Sequence, residues 1–215
     1  MSAVELLGWL GALTATLLGL PQALRLMRTR NTEGLSLVAW QATLVINIGW
    51  TAHGIVIGQW NMIIPNSLAM SATFPILILM QRELGLNLFR VLLPGVIGGG
   101  AMLLVDLLAG SSAFGTVALI PALLANGGQS VALVRSPRVV GVSPGFLVTQ
   151  VINQALWLGW ALLLPDAGTT IAAIVTGCVA VFNLVWWLLR RFGLRAFGAG
   201  SVAAPSSASR ISFDS

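Results

Sequence analysis

Apolar residues run along this chain in seven long blocks separated by short polar breaks, near residues 4–24, 35–58, 61–80, 88–108, 115–134, 144–164 and 169–189. A hydrocarbon core about 30 Å thick needs roughly 20 mostly apolar residues per helical crossing. In lipid the backbone must satisfy its own polar groups, so runs of this length predict helices. The pattern therefore predicts seven transmembrane helices. The first block, opening "MSAVELLGWLG", has no basic leader and carries Glu5, so it reads as a span rather than a cleaved signal peptide. From residue 193 onward Gly, Ala and Ser dominate, and 193–215 is expected to be a disordered cytoplasmic tail.

Composition agrees with a lipid solvent. Hydrophobic residues make up 57% of the chain and charged ones 8%, with a mean hydropathy of +0.92, far from a soluble domain. Every basic residue is arginine, and the arginines fall in alternate breaks: Arg25, Arg28 and Arg30, then Arg82 and Arg90, Arg135 and Arg138, and Arg190, Arg191 and Arg195, with Arg210 in the tail. The other breaks hold Glu5, Asp106 and Asp166 and no arginine. By the positive-inside rule the amino terminus is expected outside and the carboxyl terminus in the cytoplasm, in a cell membrane. The net charge of +5 then reports topology and contact with anionic lipid, and nucleic acid is not an expected partner. Cys178, the single cysteine, lies inside the seventh span and is read as a lipid-facing or packing residue.

The segment "PQALRLMRTRNTEGLS" matches "GQSVALVRSPRVVGVS" at an offset of 107 residues. Gln22 falls on Gln129, Leu26 on Leu133, Arg28 on Arg135, Gly34 on Gly141, Ser36 on Ser143 and Trp50 on Trp157. Polar and bulky residues in matching places along two hairpins indicate an internal repeat. Each copy holds three spans, an odd number, so one added span is needed to insert both copies in the same direction. The expected fold is an all-α membrane protein of two parallel triple-helix bundles joined by a linker helix, a 3+1+3 plan used by alternating-access transporters. The expected divisions are 1–84 for the first repeat, 85–110 for the linker, 111–192 for the second repeat and 193–215 for the tail.

The first repeat, "LPQALRLMRTRNTEGLS" followed by "INIGWTAHG" and "IIPNSL", resembles a PQ-loop protein, and within that group the SWEET and SemiSWEET sugar transporters. The resemblance covers about residues 5–190. It implies facilitated diffusion (uniport) of a mono- or disaccharide, with Trp50 and Asn66 as a sugar clamp and Pro21-Gln22 as a hinge in the first helix. Gln129 is the matching hinge position in the second copy, where Gly128 replaces proline.

Such a clamp has a physical rationale. A sugar offers apolar C–H faces and a rim of hydroxyls, which suit an indole and an amide that both donates and accepts. Asn47 precedes Trp50 by one helical turn and shares its face; Asn153 and Gln154 stand in the same relation to Trp157. Ala173 occupies the place matching Asn66, and Asn183 is the next amide in that span, either on the pathway or packing. Trp9, Trp60, Trp186 and Trp187 lie near span ends and read as interfacial anchors.

His53 lies one turn beyond Trp50 and is the one ionisable group expected well inside a span. It reads as a hydrogen-bonding replacement for an aromatic residue, with a pH-sensitive role as the rival reading. The absence of intramembrane carboxylates favours a uniporter over a proton-driven carrier. No catalytic constellation, metal-ligand cluster or cofactor motif is present, so an enzyme is not expected. Two alternatives remain open: a PQ-loop carrier of amino acids or other small metabolites, and a non-transporting receptor or assembly factor. Lipid is an expected partner, and a homo-oligomer is allowed.

Overall fold

A computed structural model describes residues 2–32, 35–136 and 143–197. Arg138, Gly141, Arg210, most of the expected tail and the side chain of Gln22 lie outside the described residues. The described chain is all helical: α1 (Ala3–Thr29), α2 (Leu37–Val56), α3 (Trp60–Leu84), α4 (Leu88–Arg135), α5 (Pro144–Leu163) and α6 (Ala167–Arg191).

Local chemistry sets the helix ends. Ser2 and Glu5 close a reciprocal capping box at the start of α1. Ser36 caps α2 through the Ala39 amide at 3.3 Å, and Ser143 caps α5 through the Phe146 amide at 3.4 Å. Asp166 accepts the Thr169 amide at the start of α6. α1 runs past the expected end near residue 24, through Pro21, to a left-handed cap at Arg30. Pro21 leaves the Leu17 carbonyl without its helical donor inside that continuous helix.

α4 is 48 residues long and contains one non-helical residue, Gly110, at φ 78° and ψ 177°. That conformation is open essentially to glycine alone. Met102 before the break packs in one cluster with Phe114 and Ala118 after it, so the two arms, 88–109 and 111–135, fold back on each other. The helix is otherwise continuous through Pro121, Gly127, Gly128 and Gln129, so neither the Gly-Gly pair nor Gln129 interrupts it.

Packing closes the helices into a ring in the order α1, α3, α2, α4, α6, α5 and back to α1. α3 therefore sits between α1 and α2, and α6 between α4 and α5. Adding 107 to the limits of α2 and α3 reproduces those of α5 and α6 residue for residue, so the offset found in the sequence is also an offset of helix ends.

Glycines allow the closest approaches. A Cβ on Gly95, Gly98 or Gly99 would collide with Leu44, Val45 or Ile48 of α2, so the first arm of α4 lies against α2 along a small-residue seam. Among the described residues five helices, all except α2, are long and apolar enough to cross a membrane. The exception is explained by its surroundings: α2 carries Gln41, Asn47, Thr51 and His53 into the protein interior, where His53 is fully buried.

Candidate functional site

The ring encloses a cavity of about 790 Å³, lined from α1, α2, α3, α4, α5 and α6. Its walls include Leu20, Ser36 and Phe146, towards the arginine-bearing end, and reach Trp50, Met62 and Thr169 at the other. The volume is that of a small-molecule site.

Six of the amide and indole residues marked by the sequence line this one cavity: Asn47, Trp50, Asn66, Asn153, Gln154 and Trp157. Helix periodicity accounts for the grouping, since Asn47 and Trp50, and likewise Asn153, Gln154 and Trp157, share inward faces of α2 and α5. Gly11 lets Trp157 approach α1: a Cβ there would lie 3.0 Å from the indole. Trp50 stands edge-on to Phe114 at 4.9 Å between ring centroids, and Trp157 edge-on to Trp160 at 5.5 Å.

The amides are partly committed to the scaffold. Asn47 Nδ2 donates to Thr73 Oγ1 at 3.0 Å. Asn66 Nδ2 donates to the Met62 carbonyl at 2.8 Å within its own helix. Asn153 Nδ2 reaches across to α1, donating to the Gly11 carbonyl at 2.9 Å and Thr14 Oγ1 at 2.7 Å. Gln154 Oε1 accepts from Thr176 at 2.8 Å. These bonds fix each side chain in place; the carbonyl oxygens of Asn47, Asn66 and Asn153 make no hydrogen bond in the structure among the described residues.

Three expectations need correction. Asn183 does not line the cavity; it is 3% exposed and packed inside α6, because it lies nearly three turns beyond Ala173, the cavity-lining residue at that register. Trp187 is not an interfacial anchor: it is buried in a cluster with Leu133 and Leu147 and carries Arg191 over its ring at 5.2 Å. Asp106 is not a surface charge, and carboxylates are not absent from the interior. His53 Nδ1 lies 2.7 Å from Asp106 Oδ2, and His53 Nε2 lies 3.3 Å from Asp166 Oδ2, with all three side chains buried.

Further contacts hold this cluster. Phe114 stacks on the His53 ring at 4.3 Å, and Trp50 meets the same ring edge-on at 5.7 Å. Ser111 donates its hydroxyl to Asp166 Oδ1 and accepts the Gly168 amide at 2.7 Å. Burial pushes the Asp166 carboxyl upward, but the hydrogen bonds from His53, Ser111 and Thr169 outweigh it and hold the group well below the usual carboxylate range. Sequence reasoning missed this cluster, although one signal was present: Asp106 interrupts the apolar run "AMLLVDLLAG", where an unpartnered carboxylate would be costly.

A ring of helices, most of them long and apolar enough to cross a membrane, around a cavity lined by indoles and amides defines a helical integral membrane protein with an internal cavity. Residues 3–58 match the PQ loop repeat. A segment of 79 residues is 33% identical to the sugar transporter SemiSWEET of Escherichia coli (strain UMEA 3162-1), spanning 37% of this chain and 89% of that relative. The chain belongs to the PQ-loop family, in its SWEET-like group, and is a membrane transporter.

Proposed function

We propose that the protein carries a small sugar across the membrane by facilitated diffusion, alternating the access of its central cavity between the two sides. The observation that carries this reading is the placing of Trp50 and Trp157, at matching positions of the repeat, on the wall of one cavity together with Asn47, Asn66, Asn153 and Gln154. Indoles suit the C–H faces of a sugar and amides suit its hydroxyls. The likeness to a SemiSWEET sugar transporter supports the substrate class.

In this reading the chain is a 3+1+3 arrangement: residues 1–84 and 111–192 are two parallel triple-helix bundles, and 85–110 is the linker. The shared offset of 107 in helix limits and the fold-back at Gly110 support it. The arginine-bearing end faces the cytoplasm of the cell and the amino terminus faces outward. Pro21 and Gln129 lie within helices that rock, and lipid covers exposed faces such as Leu13, Leu17, Ile97 and Leu108.

The test is uptake of a panel of radiolabelled sugars and amino acids into liposomes holding the purified protein. Sugar uptake is the expected result. Amino-acid uptake alone would move the protein to another class of carrier, and absence of any uptake would overturn transport.

A further inference from the structure

His53 sits between two carboxylates, and its two contacts together fix how many protons the trio holds. A neutral imidazole carries one N–H and a carboxylate carries none. Bonds from both ring nitrogens, to Asp106 Oδ2 and to Asp166 Oδ2, therefore require two protons on the trio. These are held either as an imidazolium between two carboxylates or as a neutral ring beside one carboxylic acid. With a single proton, one nitrogen lone pair faces a carboxylate oxygen and that contact turns repulsive.

The three groups belong to segments that must separate if this end of the cavity is to open. His53 is on α2, Asp106 on the first arm of α4, and Asp166 at the turn between α5 and α6. The α2 contact with α4 is sealed by glycines, with Gly99 against Ile48 and Gly49 against Met102, so His53 and Asp106 move together. The bond from His53 to Asp166, the longer at 3.3 Å, spans the divide.

The ring is faced by Asp106 and Phe114 from α4, by Asp166 from the α5–α6 turn and by Trp50 from its own helix. The charged residues of α3, Arg82 and Glu83, lie at its far end, where Glu83 accepts the Thr32 hydroxyl, and the arginines of α4, Arg90 and Arg135, lie at the far ends of its two arms.

We propose that His53, Asp106 and Asp166 form a proton-binding site, in which the second proton locks the end of the molecule opposite the arginines. Loss of that proton releases Asp166 and lets the end open, so the pH on that side sets the rate of solute passage while the solute gradient sets its direction. The inference deepens the transport reading and rests on it for its physiological meaning, but the closure itself can be read without transport.

The experiment places a cysteine in the cavity, Ala173→Cys, in a Cys178→Ser chain, and applies a membrane-impermeant thiol reagent to the outside of right-side-out vesicles between about pH 5 and pH 8. Relative to the same chain carrying Asp106→Asn, labelling is expected to rise with pH, by up to about tenfold per pH unit for a one-proton step. Asp106 Oδ2 bonds the His53 ring and no cap amide, so an asparagine there can donate to a neutral ring nitrogen and this variant stays closed across the range. Asp166→Asn, whose amide can donate to the ring only by giving up the Thr169 amide, makes the same prediction and serves if Asp106→Asn does not fold. The chain has one histidine, so nitrogen NMR of histidine-labelled protein follows His53 alone, and its titration is expected to coincide with the labelling midpoint. Labelling that tracks pH equally in the parent and both asparagine chains, or in none of them, overturns the proposal. Sugar uptake by vesicles of the unsubstituted chain separates the two readings. Absent uptake with intact pH-dependent labelling removes transport and leaves the proton site, whereas normal uptake with pH-independent labelling removes the proton site alone.

Discussion

Gly115 and Gly168 meet backbone to backbone: a Cβ on Gly115 would lie 2.3 Å from the Gly168 carbonyl oxygen and 2.6 Å from its Cα. The second arm of α4 and the start of α6 are thereby drawn together beside Asp166, and Ser111 can both donate to its carboxylate and accept the Gly168 amide.

Replacing Gly115 by valine is expected to destabilise the protein by about 1–3 kcal/mol or more, because the obstacle is backbone and cannot rotate away. Gly127, whose Cβ would meet nothing within 4 Å, provides the control: Gly127→Ala is expected to be neutral or to stabilise by up to about 1 kcal/mol through helix propensity. Unfolding of the two variants in detergent checks the contrast.

Asn153 joins α5 to α1 through two bonds from one amide nitrogen. Asn153→Ala is expected to cost about 0.6–2 kcal/mol, the range for interhelical polar contacts in membranes. Thr14→Ala removes one of the two bonds and is expected to cost less. A double-mutant cycle between the positions should give a positive coupling, and strict additivity would count against the contact.

The cavity assignment separates residues that resemble one another in sequence. Trp50→Ala and Asn66→Ala are expected to reduce solute uptake at least tenfold, about 1.4 kcal/mol in transition-state terms, with normal expression. Asn183→Ala is expected to leave uptake within about twofold of the parent, since its side chain is packed away from the cavity. Uptake assays on the three purified proteins decide the matter, and equal losses in all three would sink the distinction.

Acid should loosen the turn before α6. The Asp166 carboxyl is held below its ordinary value of 3.8 in the folded chain, so its contribution to stability is present above that value and is lost as pH falls through the folded one. The melting temperature of the parent is therefore expected to drop on acidification below about pH 4. Asp166→Asn is expected to start from a lower stability at neutral pH and to show a flatter acid limb.

The helices were legible because lipid imposes a simple requirement on the chain. The apolar runs at 88–108 and 115–134 bracket Gly110, where the long helix turns back, and the offset that aligns Trp50 with Trp157 also aligns the helix limits. Inward faces were legible by helical spacing, which put Asn47 beside Trp50 and Gln154 beside Trp157. The His53 cluster was not, since its partners stand 53 and 113 residues away and no local period joins them. Asp166 looks from sequence like a helix cap, which it is; its second role depends on a neighbour supplied by another helix. The symmetry of the repeat offers no pointer to it either, because the positions matching His53 and Asp166 are Trp160 and Gln59, so the cluster has no counterpart in the other copy.

The ring order bears on how the protein is made. α1 and α2 leave the ribosome in succession yet do not pack on each other, because α3 takes the place between them. α2, the least lipid-compatible helix, reaches the membrane ahead of Asp106 and Asp166, carrying Asn47 and His53 without their eventual surroundings. Insertion of the first hairpin is therefore the stage at which the polar groups of α2 are least satisfied. Truncated chains ending before residue 106 should be the ones that cellular quality control removes fastest.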